Sequence, residues 1–264
     1  MKCIDVRLPQ SIDQLELHLF ADEHIGDDNC DIPRLKERIQ KVKDNPNAYC
    51  ILNGDIMDFT SRSSIGDVEA RELNIMEQVQ TVIDLFEPIK DKIICITNGN
   101  HEERGYRKEG LDITRLIAMQ LDKGDQYAAN GAVLFLRFGK GKDAQWRGGK
   151  KQYEGQLYTI YVQHGRGGGR KEGAKAIRLA DMACVVDADI YIHSHTHLPM
   201  TLKEGYYRVD RRHNKATQVT KLFVNTASNL NYGGYGQAQG YKPNSKDTPT
   251  IYLNGNKREM FAML

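Results

Sequence analysis

The feature that most constrains this chain is a repeated pairing, in which a short apolar run the length of one strand ends in Asp, His or Asn. Residues 15–20 (LELHLF) run into Asp22-Glu23-His24, and residues 48–52 (AYCIL) into Asn53-Gly54-Asp55-Ile56-Met57-Asp58. Residues 92–97 (KIICIT) run into Asn98-Gly99-Asn100-His101-Glu102. Further on, residues 157–163 lead to His164-Gly165, and 190–193 to His193-Ser194-His195-Thr196-His197. Helical patterns lie between these runs. Asp31 can cap a helix with Pro33 in its first turn, placing Ile32, Leu35, Ile39 and Val42 on one face. A second amphipathic pattern covers 67–86, with Leu73, Met76, Val79, Ile83 and Phe86 inward. A loop follows Asn98, and further helices are expected near 112–121 and 174–185. Shorter strands are expected at 132–138, 206–210, 219–226 and 250–253. Alternating strands and helices predict an α/β class.

In open α/β sheets, ligands bind beyond the carboxyl ends of the strands. Five strands here deliver Asp, His or Asn to that edge. Carboxylates and neutral imidazoles are the usual ligands of divalent first-row metals. One Asp can bridge two ions about 3.5 to 4 Å apart, the spacing of two-metal hydrolytic sites. His195 and His197, like Asp22 and His24, are two residues apart and point to one side of an extended chain.

The order D-x-H, G-D-x-x-D, G-N-H-E, H-G and x-H-x-H, spread from Asp22 to His197, resembles the calcineurin-like metallophosphoesterase superfamily. The resemblance implies a four-layer αββα sandwich, two mixed β-sheets flanked by helices. It implies that Asp22, His24 and His197 bind a first divalent metal ion, that Asn100, His164 and His195 bind a second, and that Asp55 bridges them. His101 matches the catalytic histidine and Asp58 the carboxylate that orients it. The implied chemistry is in-line attack on phosphorus by a metal-bridging hydroxide, with His101 as general acid. Manganese suits such ligands, as do iron, nickel, cobalt and zinc. The family's usual G-H-x-H is Ser194-His195-Thr196-His197 here, a departure that costs no ligand.

Composition adds bounds. The chain has 264 residues, 40% hydrophobic and 27% charged, enough for a core without disulfides. The expected organisation is one domain over 1–264 with basic loop insertions near 139–155 and 165–173. Five scattered cysteines without a C-x-x-C pair, no apolar leader and no bilayer-length apolar run point to the cytoplasm and exclude a membrane partner. Net charge is +2, yet residues 139–175 hold nine Lys/Arg against three acids. That local +6 favours a polyanionic partner such as a nucleotide or nucleic acid. Arg104, Arg107 and Arg166 are candidates to grip a phosphate. The run Gly165-Arg166-Gly167-Gly168-Gly169-Arg170-Lys171 matches neither phosphate-loop pattern and reads as a basic rim. Trp146, in another basic stretch, is either a packing anchor or a stacking surface. His18, His193 and His213 read as structural, and Glu23 and Glu102 as supports or solvated side chains rather than ligands.

These signs favour a phosphodiesterase acting on nucleotides or nucleic acid. The alternatives are a phosphomonoesterase (nucleotidase or protein phosphatase) and a non-catalytic scaffold of the same fold. Protein phosphatases of this superfamily carry Arg directly after G-D-x-x-D, where this chain has Phe59. His101 argues against a scaffold.

Overall fold

A computed structural model describes residues 1–59, 73–139, 146–147, 150–151, 155–167, 169 and 171–264. The elements follow in chain order: β1 (Lys2–Leu8), β2 (Gln14–Phe20), α1 (Ile32–Asp44), β3 (Ala48–Asn53), α2 (Ile75–Phe86), β4 (Ile93–Thr97), α3 (Asn100–Glu109) and α4 (Ile113–Gln120). Next come β5 (Tyr127–Ala128), β6 (Ala132–Phe138), β7 (Trp146–Arg147), β8 (Lys150–Lys151), β9 (Leu157–Val162), α5 (Glu172–Asp181) and β10 (Ile190–His193). The chain ends with β11 (Met200–Asp210), β12 (Lys215–Asn225), α6 (Gly234–Ala238), β13 (Thr250–Asn254) and β14 (Met260–Met263).

Two mixed six-stranded sheets result, ordered β1-β6-β9-β10-β12-β11 and β14-β13-β2-β3-β4-β5. Strands β2, β3, β4 and β5 run parallel, as do β9, β10 and β12. One core lies between the sheets, where Leu15, Leu17 and Leu19 meet Leu134, Leu136, Ile160 and Ile192. The outer face of the second sheet packs on α1, α2 and α4 through Phe20, Leu35, Val82, Phe86 and Ile117. The outer face of the first sheet packs Tyr161, Tyr191 and Phe223 on Leu179 of α5. The layers therefore read helix, sheet, sheet, helix, as expected.

Local signals explain the helices. Asp31 accepts a hydrogen bond from the Arg34 N–H and Pro33 sits in the first turn of α1, with Leu35, Ile39 and Val42 buried. Asn74 and Glu77 form a reciprocal capping box at the start of α2. The expected start at 67 falls on residues outside those described, which exclude 60–72. Met76, expected inward, is exposed. Gln78 takes a buried place on this helix because its amide accepts the Phe59 N–H and donates to the Leu73 carbonyl.

Three further elements differ from expectation. The expected loop after Asn98 is instead α3, whose sequence NHEERGYRKE is too polar to show an apolar period. It is held by Glu102 and Glu103 in its first turn and by Arg107 and Lys108 in its last, each complementing the helix dipole. Strand β1, not anticipated, adds to the sheet edge beside β6. Strand β11 begins at Met200 rather than 206, and with β12 it forms a ribbon of eleven paired positions whose outer half is exposed. Of the expected basic insertions, 140–145, 148–149, 152–154, 168 and 170 lie outside the described residues, as does the Trp146 side chain. Among the described residues, no helix is long and apolar enough to cross a membrane.

Candidate metal centre

Strands β2, β3, β4, β9 and β10 all end at one edge, and the residues that follow them converge there. Five of these residues sit in the left-handed backbone region without being glycine: Asp22 (φ 54°), His24 (φ 50°), Asp55 (φ 48°), His195 (φ 66°) and His197 (φ 55°). That conformation costs about 1–2 kcal/mol per residue and persists only where the surroundings enforce it. Here backbone bonds enforce it. The Asp22 N–H donates to the Gly54 carbonyl at 3.1 Å, the His24 N–H to the Asp55 carbonyl at 3.0 Å, and the Asn229 N–H to the Asp22 carbonyl at 3.0 Å. The loops after β3 and β4 pack backbone to backbone. A Cβ on Gly54 would lie 2.5 Å from the Gly99 nitrogen, and one on Gly99 would lie 2.1 Å from the Asp55 nitrogen. Both motif glycines are thus required by close approach.

Each central carboxylate has one oxygen pinned and one turned inward. Asp22 Oδ2 accepts the His195 N–H at 3.0 Å and the Thr226 hydroxyl at 3.3 Å. Asp22 Oδ1 faces His197 Nε2 at 3.1 Å and His164 Nε2 at 4.0 Å. Asp55 Oδ1 accepts the His101 N–H at 2.8 Å, while Oδ2 lies 3.2 Å from His164 Nε2 and 4.0 Å from His101 Nε2.

The donor atoms form three groups, each with all its atoms within 4.8 Å of one another: Asp22, His24 and His197; Asp55, His164 and His195; and His24, Asp58 and His101. Asn100 stands in the first turn of α3 beside His101. Asp22, His24, Asp55, His164, His195 and His197 therefore lie together with His101 and Asp58.

These residues can hold divalent cations. Both His24 nitrogens and Asn100 Oδ1 are shielded from solvent and have no hydrogen-bond partner, and Asp22 Oδ1 and His164 Nε2 meet only other donors of the cluster. Buried polar atoms are normally paired, and a cluster of unpaired oxygen and imidazole donors fits a metal. Electrostatics agree. Burial opposes charge on Asp22, but His197 and His164 pull its carboxyl down to about 2. Burial likewise opposes charge on His164, yet Asp55 and Asp22 outweigh it and push the imidazole up to about 10. His24, governed by burial and by the neighbouring His101, is lowered to about 4. The two carboxylates demand positive charge between them.

The imidazoles are oriented from behind. His164 Nδ1 lies 2.6 Å from the Asn53 carbonyl, and His101 Nδ1 lies 2.6 Å from the Asp58 carbonyl and 3.5 Å from its carboxylate. A carbonyl only accepts, so each Nδ1 carries the proton and each Nε2 is left for the cluster. For His101, the Asp58 backbone is thus the nearer partner. Burial disfavours charge on His101, but Asp58 and Asp55 together raise its pKa.

Residues around the donors have specific partners. Asn53 donates to the Ser194 hydroxyl at 2.7 Å and to the Gln163 carbonyl at 3.1 Å, and it accepts the Thr97 hydroxyl at 2.7 Å. Ser194 therefore has a specific partner in place of the family's glycine. Glu102 accepts the N–H groups of Asp55, Ile56, Met57 and Gly99 at 2.8 to 3.2 Å. Glu23 is buried against Arg38 at 2.7 Å. His193 is buried, its Nδ1 2.8 Å from Asn225 Oδ1, and it belongs to none of the three groups. Phe59 is buried with its ring against Gly105. Of the candidate phosphate-gripping residues, Arg107 and Arg166 both bind Glu103, at 3.0 and 2.9 Å. Arg104 is near enough to His101 to oppose its protonation.

Distant structural neighbours include a conserved uncharacterized protein, a predicted phosphoesterase, from Streptococcus pneumoniae TIGR4, with 12% identity, TM-score 0.36 and coverage of 96% of this chain and 100% of that one. A Vps29 mutant from Entamoeba histolytica has 13% identity and TM-score 0.41, covering 95% of this chain and 100% of that one. Pseudomonas putida nuclease MPE has 12% identity and TM-score 0.37, covering 94% of this chain and 87% of that one. Comparison with curated proteins gave no match. The sequence profile named calcineurin-like phosphoesterase matches residues 17–199, a span that includes every residue of the three donor groups, and the chain belongs to that family.

Proposed function

We propose that this protein is a dinuclear metal-dependent phosphodiesterase acting on nucleotides or nucleic acid. The observation that carries the reading is the pairing of Asp22, His24 and His197 with Asp55, His164 and His195, two cation-holding groups side by side with His101 at their edge. Two divalent ions bound there would supply Lewis-acid chemistry, neutralising phosphate charge and making hydroxide available near neutral pH. Asp55 would serve both ions in this reading, which the approach of its inward oxygen to His164 and the tie of its backbone to the Asp22 loop support. Asn100 completes the second set. Manganese is the expected ion, with iron, nickel, cobalt and zinc also suited to this donor set.

His101 does the proton work. Its Nδ1–H is fixed by Asp58, its Nε2 faces the cluster, and its raised pKa keeps a proton ready for the departing ester oxygen. No side chain is required as a covalent nucleophile. The Phe59 ring fills the position where protein phosphatases of this superfamily carry Arg, which disfavours that alternative. Cytoplasmic localisation and a nucleotide or nucleic-acid partner belong to the same proposal.

The test is hydrolysis of bis-p-nitrophenyl phosphate beside p-nitrophenyl phosphate by metal-stripped protein reloaded with Mn²⁺. Faster cleavage of the diester is expected. Faster cleavage of the monoester would replace the reading with a phosphomonoesterase, and no turnover with metal bound would favour a scaffold.

A further inference from the structure

Beside the Asp55, His164 and His195 group lies a cavity of about 410 Å³ whose walls include Asn100 and His164. Its size lies within the range of small-molecule sites. Asn98 and Gln163 also line it, and Tyr106 and Arg166 are exposed lining residues. Asn98 Oδ1 is shielded from solvent and has no hydrogen-bond partner. Side-chain amides offer both donors and acceptors, which is what the polar edge of a nucleobase needs. An exposed aromatic ring adds a face on which a base can stack. Arg166 brings a cation to the same wall, at present bound to both Glu103 oxygens at 2.9 and 3.1 Å.

The position of the cavity decides which part of a substrate it takes. His101 packs against His24, with ring centroids 4.6 Å apart, and it groups with His24 and Asp58. The cavity instead adjoins His164. The leaving oxygen departs toward His101, so a group in the cavity is the one that stays on phosphorus.

We infer that this cavity is a nucleoside subsite, holding the nucleoside that remains esterified to phosphate after cleavage. The inference rests on the phosphodiesterase reading. Water adds to phosphorus and releases one proton to solvent, the bond from phosphorus to the leaving oxygen breaks, and that oxygen takes a proton from His101, which regains one from solvent. The products are a nucleoside monophosphate and an alcohol. Gln163 and Asn98 read the base edge, and Tyr106 stacks on its face.

The experiment compares thymidine 5′-(p-nitrophenyl phosphate) with methyl p-nitrophenyl phosphate, two diesters with the same leaving group. The full chain reloaded with Mn²⁺ is used, as wild type, Tyr106→Ala and Gln163→Ala. Wild type is expected to prefer the thymidine ester at least about tenfold in kcat/KM, and each variant to lower that ratio about tenfold, mainly through KM. Binding of thymidine 5′-monophosphate, followed by calorimetry, is expected to weaken in parallel. No preference in wild type, or a ratio unmoved in both variants, overturns the subsite. If neither ester is hydrolysed but nucleotide binding still weakens in both variants, the subsite stands and the hydrolase reading falls. If binding does not change either, the subsite falls as well.

Discussion

Glu102 follows the expected catalytic histidine, yet its carboxylate turns away from the cluster and accepts the backbone N–H of Asp55 at 3.0 Å. The same carboxylate accepts the N–H groups of Ile56, Met57 and Gly99, so one buried side chain clamps both loops that carry the central ligands. Burial and the Asp55 charge push its carboxyl up to about 7, and the four N–H donors work against that push. Replacing it by Ala orphans those donors, each at a cost of about 1–3 kcal/mol when left buried. Glu102→Ala is expected to lose at least about 3 kcal/mol and to bind less than two equivalents of Mn²⁺. Thermal melts and metal analysis check both, and wild-type values in each would refute the clamp.

His101→Ala is expected to lower kcat on a dinucleotide, whose alkoxide leaving group needs a proton, by about 10²- to 10⁴-fold, the usual contribution of a positioned proton donor, and to lower it less on bis-p-nitrophenyl phosphate. Metal content should remain that of wild type, because His101 stands outside the two proposed ligand sets. Retention of full activity, or loss of metal, would remove the assigned role.

Ser194 supplies the only departure from the family's ligand motif, and its hydroxyl accepts from Asn53 Nδ2 at 2.7 Å. Asn53 also donates to the Gln163 carbonyl, and its own carbonyl orients His164. Ser194→Gly is expected to cost about 1 kcal/mol for the lost bond, plus the backbone freedom of glycine. A drop of a few degrees in melting temperature with metal still bound is the expected result. An unchanged or higher melting temperature would show that the hydroxyl adds nothing.

Acid stability should report on Asp189, far from the metal-holding edge. Burial opposes its charge, but the Thr159 N–H and hydroxyl, each 2.8 Å away, and Arg258 at 2.6 Å outweigh it and hold the carboxyl below its ordinary value. A pKa lowered by folding stabilises above the unfolded value of about 3.9, and that stabilisation is lost as pH falls through the folded value. Asp189→Asn should therefore be less stable than wild type at pH 6, with the gap closing below about pH 4. Melting curves that stay parallel from pH 6 to pH 3 would exclude this linkage.

Much of the site was legible in the order of residues. The apolar runs ending in Asp, His and Asn predicted both the α/β class and the edge where chemistry gathers, because a strand buried on both faces must be apolar and its end must not be. Helix α1 was equally legible, since Asp31, Pro33 and the spacing of Leu35, Ile39 and Val42 are local signals. Helix α3 was not, because its ten residues are almost all polar and its stability comes from charge placement and from Glu102 reaching another loop.

What the chain determined by itself is the chemistry of the donors and their place after strands, properties carried by residue type and short spacing. What only the tertiary structure decided is which donors meet, which oxygen of each carboxylate is pinned, and which imidazole nitrogen faces the cluster. Those depend on contacts such as Asp22 with the His195 N–H, 173 positions apart, and His164 with the Asn53 carbonyl, 111 apart. Partners so distant in sequence leave no local period to read, and the left-handed backbone at Asp22, His24, Asp55, His195 and His197 is a strain that only those contacts sustain.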